Sequence, residues 1–154
     1  MYNKKVMERF KNPKNLKEMK EPDAIGKIGN IHCGDVMWCF IKIEENKKGE
    51  RIIKDISIKT FGCVAAMSTS DVLCDLVRGK SIKESLNIKD NDIIMELGEL
   101  PVRKIHCSLL AVDALGEAIY NYLLKSGLPI PSSLKQKHER IKNNLEIINK
   151  RQNY

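Results

Sequence analysis

Apolar residues along this chain recur with two different periods. Val6, Met7 and Phe10 stand at helical spacing within residues 3–11, and Asn12-Pro13 ends that run because the residue before a proline disfavours helix. Between Ile25 and Phe61 the period is two. Residues 35–43 are rich in apolar, β-prone side chains, and residues 52–61 set Ile56 and Ile58 on one face against Asp55, Ser57 and Lys59 on the other. With a turn at Asn46-Lys47-Lys48-Gly49 and a weaker strand over 26–31, this pattern predicts a three-stranded antiparallel sheet with one face in solvent.

From Ala65 the helical period returns, with Thr69, Val72, Leu73 and Leu76 along the same side and Gly79 placed to end the helix. Ser81 and Glu84 have capping-box spacing, and Asn91 or Asp92 is placed to cap a helix over 93–97. Gly98 and Pro101 then interrupt the chain before a longer helix that begins near Cys107 and carries Ala111, Leu115, Ile119 and Leu123. After Gly127-Leu128-Pro129-Ile130-Pro131, residues 132–150 read as a polar helix with a thin stripe of Leu134, Ile141, Leu145 and Ile148, which could dock, pair with another chain or fray. The predicted fold class is α+β: a three-stranded antiparallel sheet with helices packed over one face, plus an extra C-terminal helix. Residues 1–126 form the domain and 127–154 a basic, helical extension.

With 154 residues and 42% hydrophobic content, the chain can bury one core and not two. It holds no apolar run of membrane-spanning length, and its charged opening MYNKKVMERFK is unlike a secretory signal, so the expectation is a cytoplasmic protein. The net charge is +7, of which the tail from Gly127 supplies +4, six Lys and Arg against Glu139 and Glu146. With only three Phe, four Tyr and one Trp as stacking groups, nucleic acid is a weak candidate partner, and a solvated helical face accounts for the tail as well. His138 on that tail is expected in solvent, His32 on an exposed strand edge, Tyr2 in a frayed terminus and Trp38 in packing.

Five cysteines at irregular spacing do not form a secreted disulfide framework. Cys39 and Cys74 fall inside apolar runs and read as small buried hydrophobes. Cys33, Cys63 and Cys107 stand at element boundaries, where loops could converge on one edge of the sheet. A [2Fe–2S] cluster needs four terminal protein ligands, and these three thiolates with Asp35 or His106 make four. A carboxylate oxygen is a harder, more labile partner for iron than sulfur, which suits a carrier that gives its cluster away. Zinc in S₃O or S₃N geometry fits the same set, although gaps of 29 and 43 residues contain no close cysteine pair typical of a zinc module. Lys104 and a helix N-terminus near Cys107 favour its thiolate, as a nucleophile or a persulfide acceptor. Three unrelated buried cysteines are the alternative.

Four segments carry a resemblance: Val6-Met-Glu-Arg-Phe-Lys-Asn-Pro-Lys-Asn15, His32-Cys-Gly-Asp-Val-Met37, Lys59-Thr-Phe-Gly-Cys63, and Leu100-Pro-Val-Arg-Lys-Ile-His-Cys-Ser108 with Leu110-Ala111 and Asp113-Ala114. In order and spacing they resemble the IscU and NifU N-terminal family of iron–sulfur cluster assembly scaffolds, over about residues 1–125. The resemblance implies a SufE/NifU-like fold and a scaffold, not an enzyme. Such a scaffold receives sulfur from a cysteine desulfurase of IscS or NifS type, binds iron, assembles a [2Fe–2S] cluster and passes it to acceptor apoproteins. It also implies that the cluster-free protein can hold zinc and that a homodimer can form. By position, Cys33, Cys63 and Cys107 match the family's ligand cysteines, and Asp35 their companion in ligation or release. His106 matches an alternate ligand, and Cys107 the persulfide acceptor.

Pro101 and Lys104 fall in a motif that reads L-P-P-V-K in many relatives and is bound there by an Hsp70-type chaperone. Here it is Leu100-Pro101-Val102-Arg103-Lys104, one proline fewer and one cation more, so that contact does not carry over intact. Val64 also stands where the family usually has a glycine. A zinc-bound relative, SufU, relays persulfide instead, but carries an insertion between its second and third cysteines and lacks the histidine before the third. The 43 intervening residues and His106 place this chain with the scaffolds.

Overall fold

A computed structural model describes residues 1–29 and 34–152. Three strands, β1 (Ala24–Gly29), β2 (Val36–Glu45) and β3 (Arg51–Phe61), pair antiparallel in the order β1-β2-β3. The helices are α1 (Lys4–Lys11), α2 (Val64–Val77), α3 (Ile82–Ser85), α4 (Asp90–Leu97), α5 (Ile105–Lys125) and α6 (Ser132–Gln152). A 3₁₀ turn at Val102–Lys104 leads into α5.

Alternation sets one face of the sheet against the helices. Register pairs Cys39 with Ile58 and Ile41 with Ile56, all fully buried, under α2 and α5. The opposite face carries Lys27, Trp38, Lys59 and Phe61, with both ammonium groups over the Trp38 ring. Trp38 thus packs against cations on the outer face. The expected β1 lies two residues earlier than its pattern suggested, and the last two positions of that pattern, 30 and 31, fall outside the described residues.

Local signals set most helix ends. Asn3 caps α1 by accepting the Val6 amide at 2.9 Å, and Ser81 and Glu84 form their capping box at the start of α3. Helix α4 starts at Asp90, earlier than expected. Asp92 is therefore not its cap but sits in the first turn, reaching back to accept the Lys89 amide at 2.8 Å. Cys39 and Cys74 are fully buried, and burial pushes both thiols up, so they stay protonated and unsuited to metal.

Two expectations about the chain ends are overturned. His138 is not in solvent: its side chain is 19% exposed, its Nδ1 is 2.7 Å from Glu117 Oε1, and its ring stacks on Tyr120. The cause is the docking of α6 on α5, which buries Leu134 and Ile141 and brings His138 against that helix. Tyr2 is not frayed either, because α1 packs on α2 and carries Tyr2 against the core.

A polar hub ties the N-terminus to the sheet and α2. The fully buried Asp71 carboxylate accepts the amides of Lys14 and Asn15, each at 2.8 Å, and Arg9 at 2.9 Å. Burial alone would raise the neighbouring Asp75, but hydrogen bonds from Arg9 and Asn15 outweigh it and hold this carboxyl below its usual range. A depressed folded pKa contributes stability above the unfolded value and loses it as pH falls through the folded one. The stability difference between the protein and its Asp75→Asn variant is therefore expected to be full at neutral pH and to shrink below about pH 4. Urea midpoints measured from pH 7 to pH 3 check it, and a difference that grows in acid would contradict this assignment.

Candidate metal centre

Three chain segments deliver the site. Asp35 precedes β2, Cys63 lies between β3 and α2 as the residue capping that helix, and Cys107 stands in the first turn of α5. Their ligand atoms, a carboxylate oxygen and two sulfurs, all lie within 4.8 Å of one another. Cys63 Sγ and Cys107 Sγ are 3.7 Å apart. Two thiolates bound to one tetrahedral metal through bonds of about 2.3 Å would stand about 3.8 Å apart, whereas a disulfide would need about 2.05 Å. The spacing fits two ligands of a shared ion as well as a thiol–thiol hydrogen bond.

The carboxylate is held ready. Asp35 is 9% exposed, and its Oδ2 is buried without a hydrogen-bond partner, a costly arrangement that a cation would relieve. Gly62 makes room for it: a Cβ there would stand 3.3 Å from Asp35 Cγ and 2.8 Å from the Ala66 Cβ. Gly34 adopts φ +74°, a left-handed conformation that glycine accepts at little cost. Sequence patterning flagged neither glycine as space-giving, because close approach across a fold leaves no local period.

Electrostatics favour anions here. The N-termini of α2 and α5 both meet the site and direct their partial positive charge toward it. The Lys104 ammonium is held above its ordinary range, chiefly by facing Cys63, then by Tyr2 and Cys107. Burial pushes the Tyr2 phenol up, with the Cys63 and Cys107 charges adding to it. Lys104, singled out as a partner-binding position, is thus a cation at the thiols themselves. Pro101 opens the 3₁₀ turn, beside the exposed Val102 and Arg103.

His106 Nε2 stands 3.6 Å from Cys107 Sγ, within reach of the same ligand sphere. Cys33 and His32 lie outside the described residues. Val64 is the first residue of α2 and has no positive φ, so the glycine usual at this position is not required for backbone freedom. Among the described residues this is the one group of three or more candidate ligands close enough to hold an ion.

Comparison with known proteins places the chain in a family. The family described as NifU-like N terminal domain matches residues 1–128. The chain is similar to the iron-sulfur cluster assembly scaffold protein IscU 1 of Archaeoglobus fulgidus, 42% identical over 127 residues, covering 82% of this chain and 80% of that one. It is also similar to the iron-sulfur cluster assembly scaffold protein IscU of Haemophilus influenzae, 40% identical over 129 residues that span 98% of that protein. Among solved structures, a NifU-like N-terminal protein from Brucella abortus superposes with a TM-score of 0.61 over 80% of this chain and 94% of that one, at 19% identity, which supports the α+β fold.

Proposed function

This chain belongs to the family of NifU-like N-terminal domains, and from that membership we propose that it is a scaffold on which an iron–sulfur cluster is built and from which it is handed on. The cluster is cargo, a [2Fe–2S] unit held by Cys33, Cys63, Cys107 and Asp35, with His106 as the alternate fourth ligand. The observation that carries this reading is the 3.7 Å sulfur pair beside an unpartnered, buried carboxylate oxygen.

Cys107 receives the sulfur. Its thiolate attacks the outer sulfur of a persulfide on a cysteine desulfurase of IscS or NifS type, whose own cysteine leaves as thiolate. Two electrons from an external donor then reduce the transferred sulfur to sulfide. Lys104 and the N-termini of α2 and α5 set positive charge beside both sulfurs during this exchange. The scaffold turns over no substrate itself, since the carbon–sulfur bond is broken on the desulfurase. Acceptor apoproteins take the finished cluster, and Asp35 eases its departure because an oxygen ligand exchanges from iron more readily than sulfur. No helix among the described residues is long and apolar enough to cross a membrane.

Anaerobic purification with measurement of iron, acid-labile sulfide and zinc per chain tests the reading. Iron and sulfide in near-equal amounts, with thiolate-to-iron absorption after supply of desulfurase, cysteine and iron, are expected. Tightly held zinc with no cluster under those conditions would replace this function by persulfide relay. Asp35→Ala is expected to lengthen the lifetime of the bound cluster severalfold, followed by loss of visible absorption in the presence of a chelator. Faster loss would show that Asp35 is needed for holding rather than release.

A further inference from the structure

The C-terminal helix lies outside the residues that match the family, yet the surface beneath it is built to receive it. On α5, Asp113 and Glu117 are buried acids, 9% and 7% exposed, on one helical stripe with Tyr120. On α6, three basic residues meet them. Lys137 Nζ stands 3.2 Å from Asp113 Oδ1, Arg140 donates to Asp113 Oδ2 at 3.0 Å, and His138 lies 2.7 Å from Glu117 and flat against the Tyr120 ring at 3.8 Å. Gly116, in the interior of a 21-residue helix where glycine weakens the backbone, forms the floor between them. A Cβ there would make ordinary van der Waals contact with the Lys137 stem at 3.4 Å and Leu134 at 3.6 Å. Two apolar anchors, Leu134 and Ile141, complete the seam.

The seam is thus held by charge and by two apolar anchors, and the connection to α5 is a short linker, Gly127-Leu128-Pro129-Ile130-Pro131, that turns at Gly127 with φ +68°. We propose that α6 is an exchangeable clasp: the Asp113, Glu117 and Tyr120 face of α5 is a docking groove for a basic amphipathic helix, filled here by the chain's own α6 and open to the same helix of a second copy. Within one chain the tether gives α6 a high effective concentration, so the closed monomer prevails until the intrachain fit is spoiled. Because the pairings are the same within or between chains, exchange conserves every contact.

Charge-swapped full-length variants test this. Lys137→Glu with Arg140→Glu turns two basic positions of α6 acidic against the native groove, and Asp113→Lys makes the groove basic against the native helix. Each variant alone sets like charges across the seam, and hydrogen exchange over residues 132–147 is expected to quicken at least tenfold while β2 and β3 keep their protection. Mixed in equal amounts at a concentration where each is monomeric, the two are expected to form a heterodimer by light scattering, each helix finding the opposite charge on the other chain. All three substitutions in one chain should restore slow exchange and a monomer. Unchanged exchange in the single-sided variants, or a mixture that stays monomeric, would overturn the proposal.

Discussion

Gly26→Val is expected to cost the fold about 4 kcal/mol and to lower the melting temperature by about 10 °C or more. Gly26 lies on β1 where α5 crosses the sheet, and a Cβ there would stand 2.3 Å from the Ala118 nitrogen and 2.4 Å from the Ala114 carbonyl oxygen. Both are backbone atoms, which no rotamer change can move aside. The close approach is prepared on the helix as well, since Ala111, Ala114 and Ala118 are small and fully buried. A valine must therefore push α5 from the sheet, and with it Cys107 in the first turn of that helix. Overpacking usually costs 1 to 3 kcal/mol, and a rigid obstacle on both sides puts this site above that range. Alanine at the same position should fail in the same direction, because the clash begins at Cβ. Urea melts of both variants check it, and an unchanged midpoint would mean that the helix does not sit against the strand in this way.

Cys107→Ser is expected to weaken zinc binding, used as a probe of the ligand set, by roughly a hundredfold or more while leaving the fold intact. Structural zinc sites of four ligands hold about 10 to 16 kcal/mol in total, so removing one thiolate removes on the order of 3 kcal/mol, more than a factor of 100. The hydroxyl of serine is a far poorer ligand at neutral pH because it stays protonated. Cys39→Ala is the matched control. Cys39 is equally buried, but it lies inside β2 and burial keeps its thiol protonated, so metal affinity should be unaltered. Competition against a chromophoric chelator measures both variants. Affinity within threefold of the parent for Cys107→Ser, or a large loss for Cys39→Ala, would move the site elsewhere.

The motif positions of the site were legible in the sequence because each sits where one period gives way to another. Cys63 ends a period-two run and opens a helical one, so its place between β3 and α2 followed from pattern alone. Cys39 and Cys74 were separated from the candidate ligands by the same logic, since residues in the middle of apolar runs point into the core. The start of α4 lies three residues, and that of α5 two, before the position its pattern suggests. A 3₁₀ turn precedes α5, and at α4 a reach-back from Asp92 takes the place of the expected Asn91 or Asp92 cap; such choices depend on what the preceding loop packs against.

Tyr2, His138 and Lys104 were misjudged or only half judged for a different reason. Each is polar and stands in a segment whose own pattern allows exposure, and each acquires its role from an element distant in the chain. Tyr2 packs against the core because α1 docks on α2, and Lys104 faces Cys63 from a turn 41 residues further along the sequence. His138 is drawn into a pair by Glu117, whose carboxyl burial pushes up despite the hydrogen bond to that histidine.

By itself the sequence determined the α+β class, the strand alternation, the separation of core from candidate cysteines, and the motifs that align this chain with cluster scaffolds. Those depend on periods of 2.0 and 3.6 residues and on local caps, which neighbouring residues encode. Only the tertiary structure decided that Cys63 and Cys107 stand at ligand spacing, that Asp35 keeps a buried unpaired oxygen, and that Gly26 and Gly62 are spaces rather than turns. These are distances between atoms far apart in the chain, fixed by how the helices lie on the sheet, and no local pattern of residues carries them.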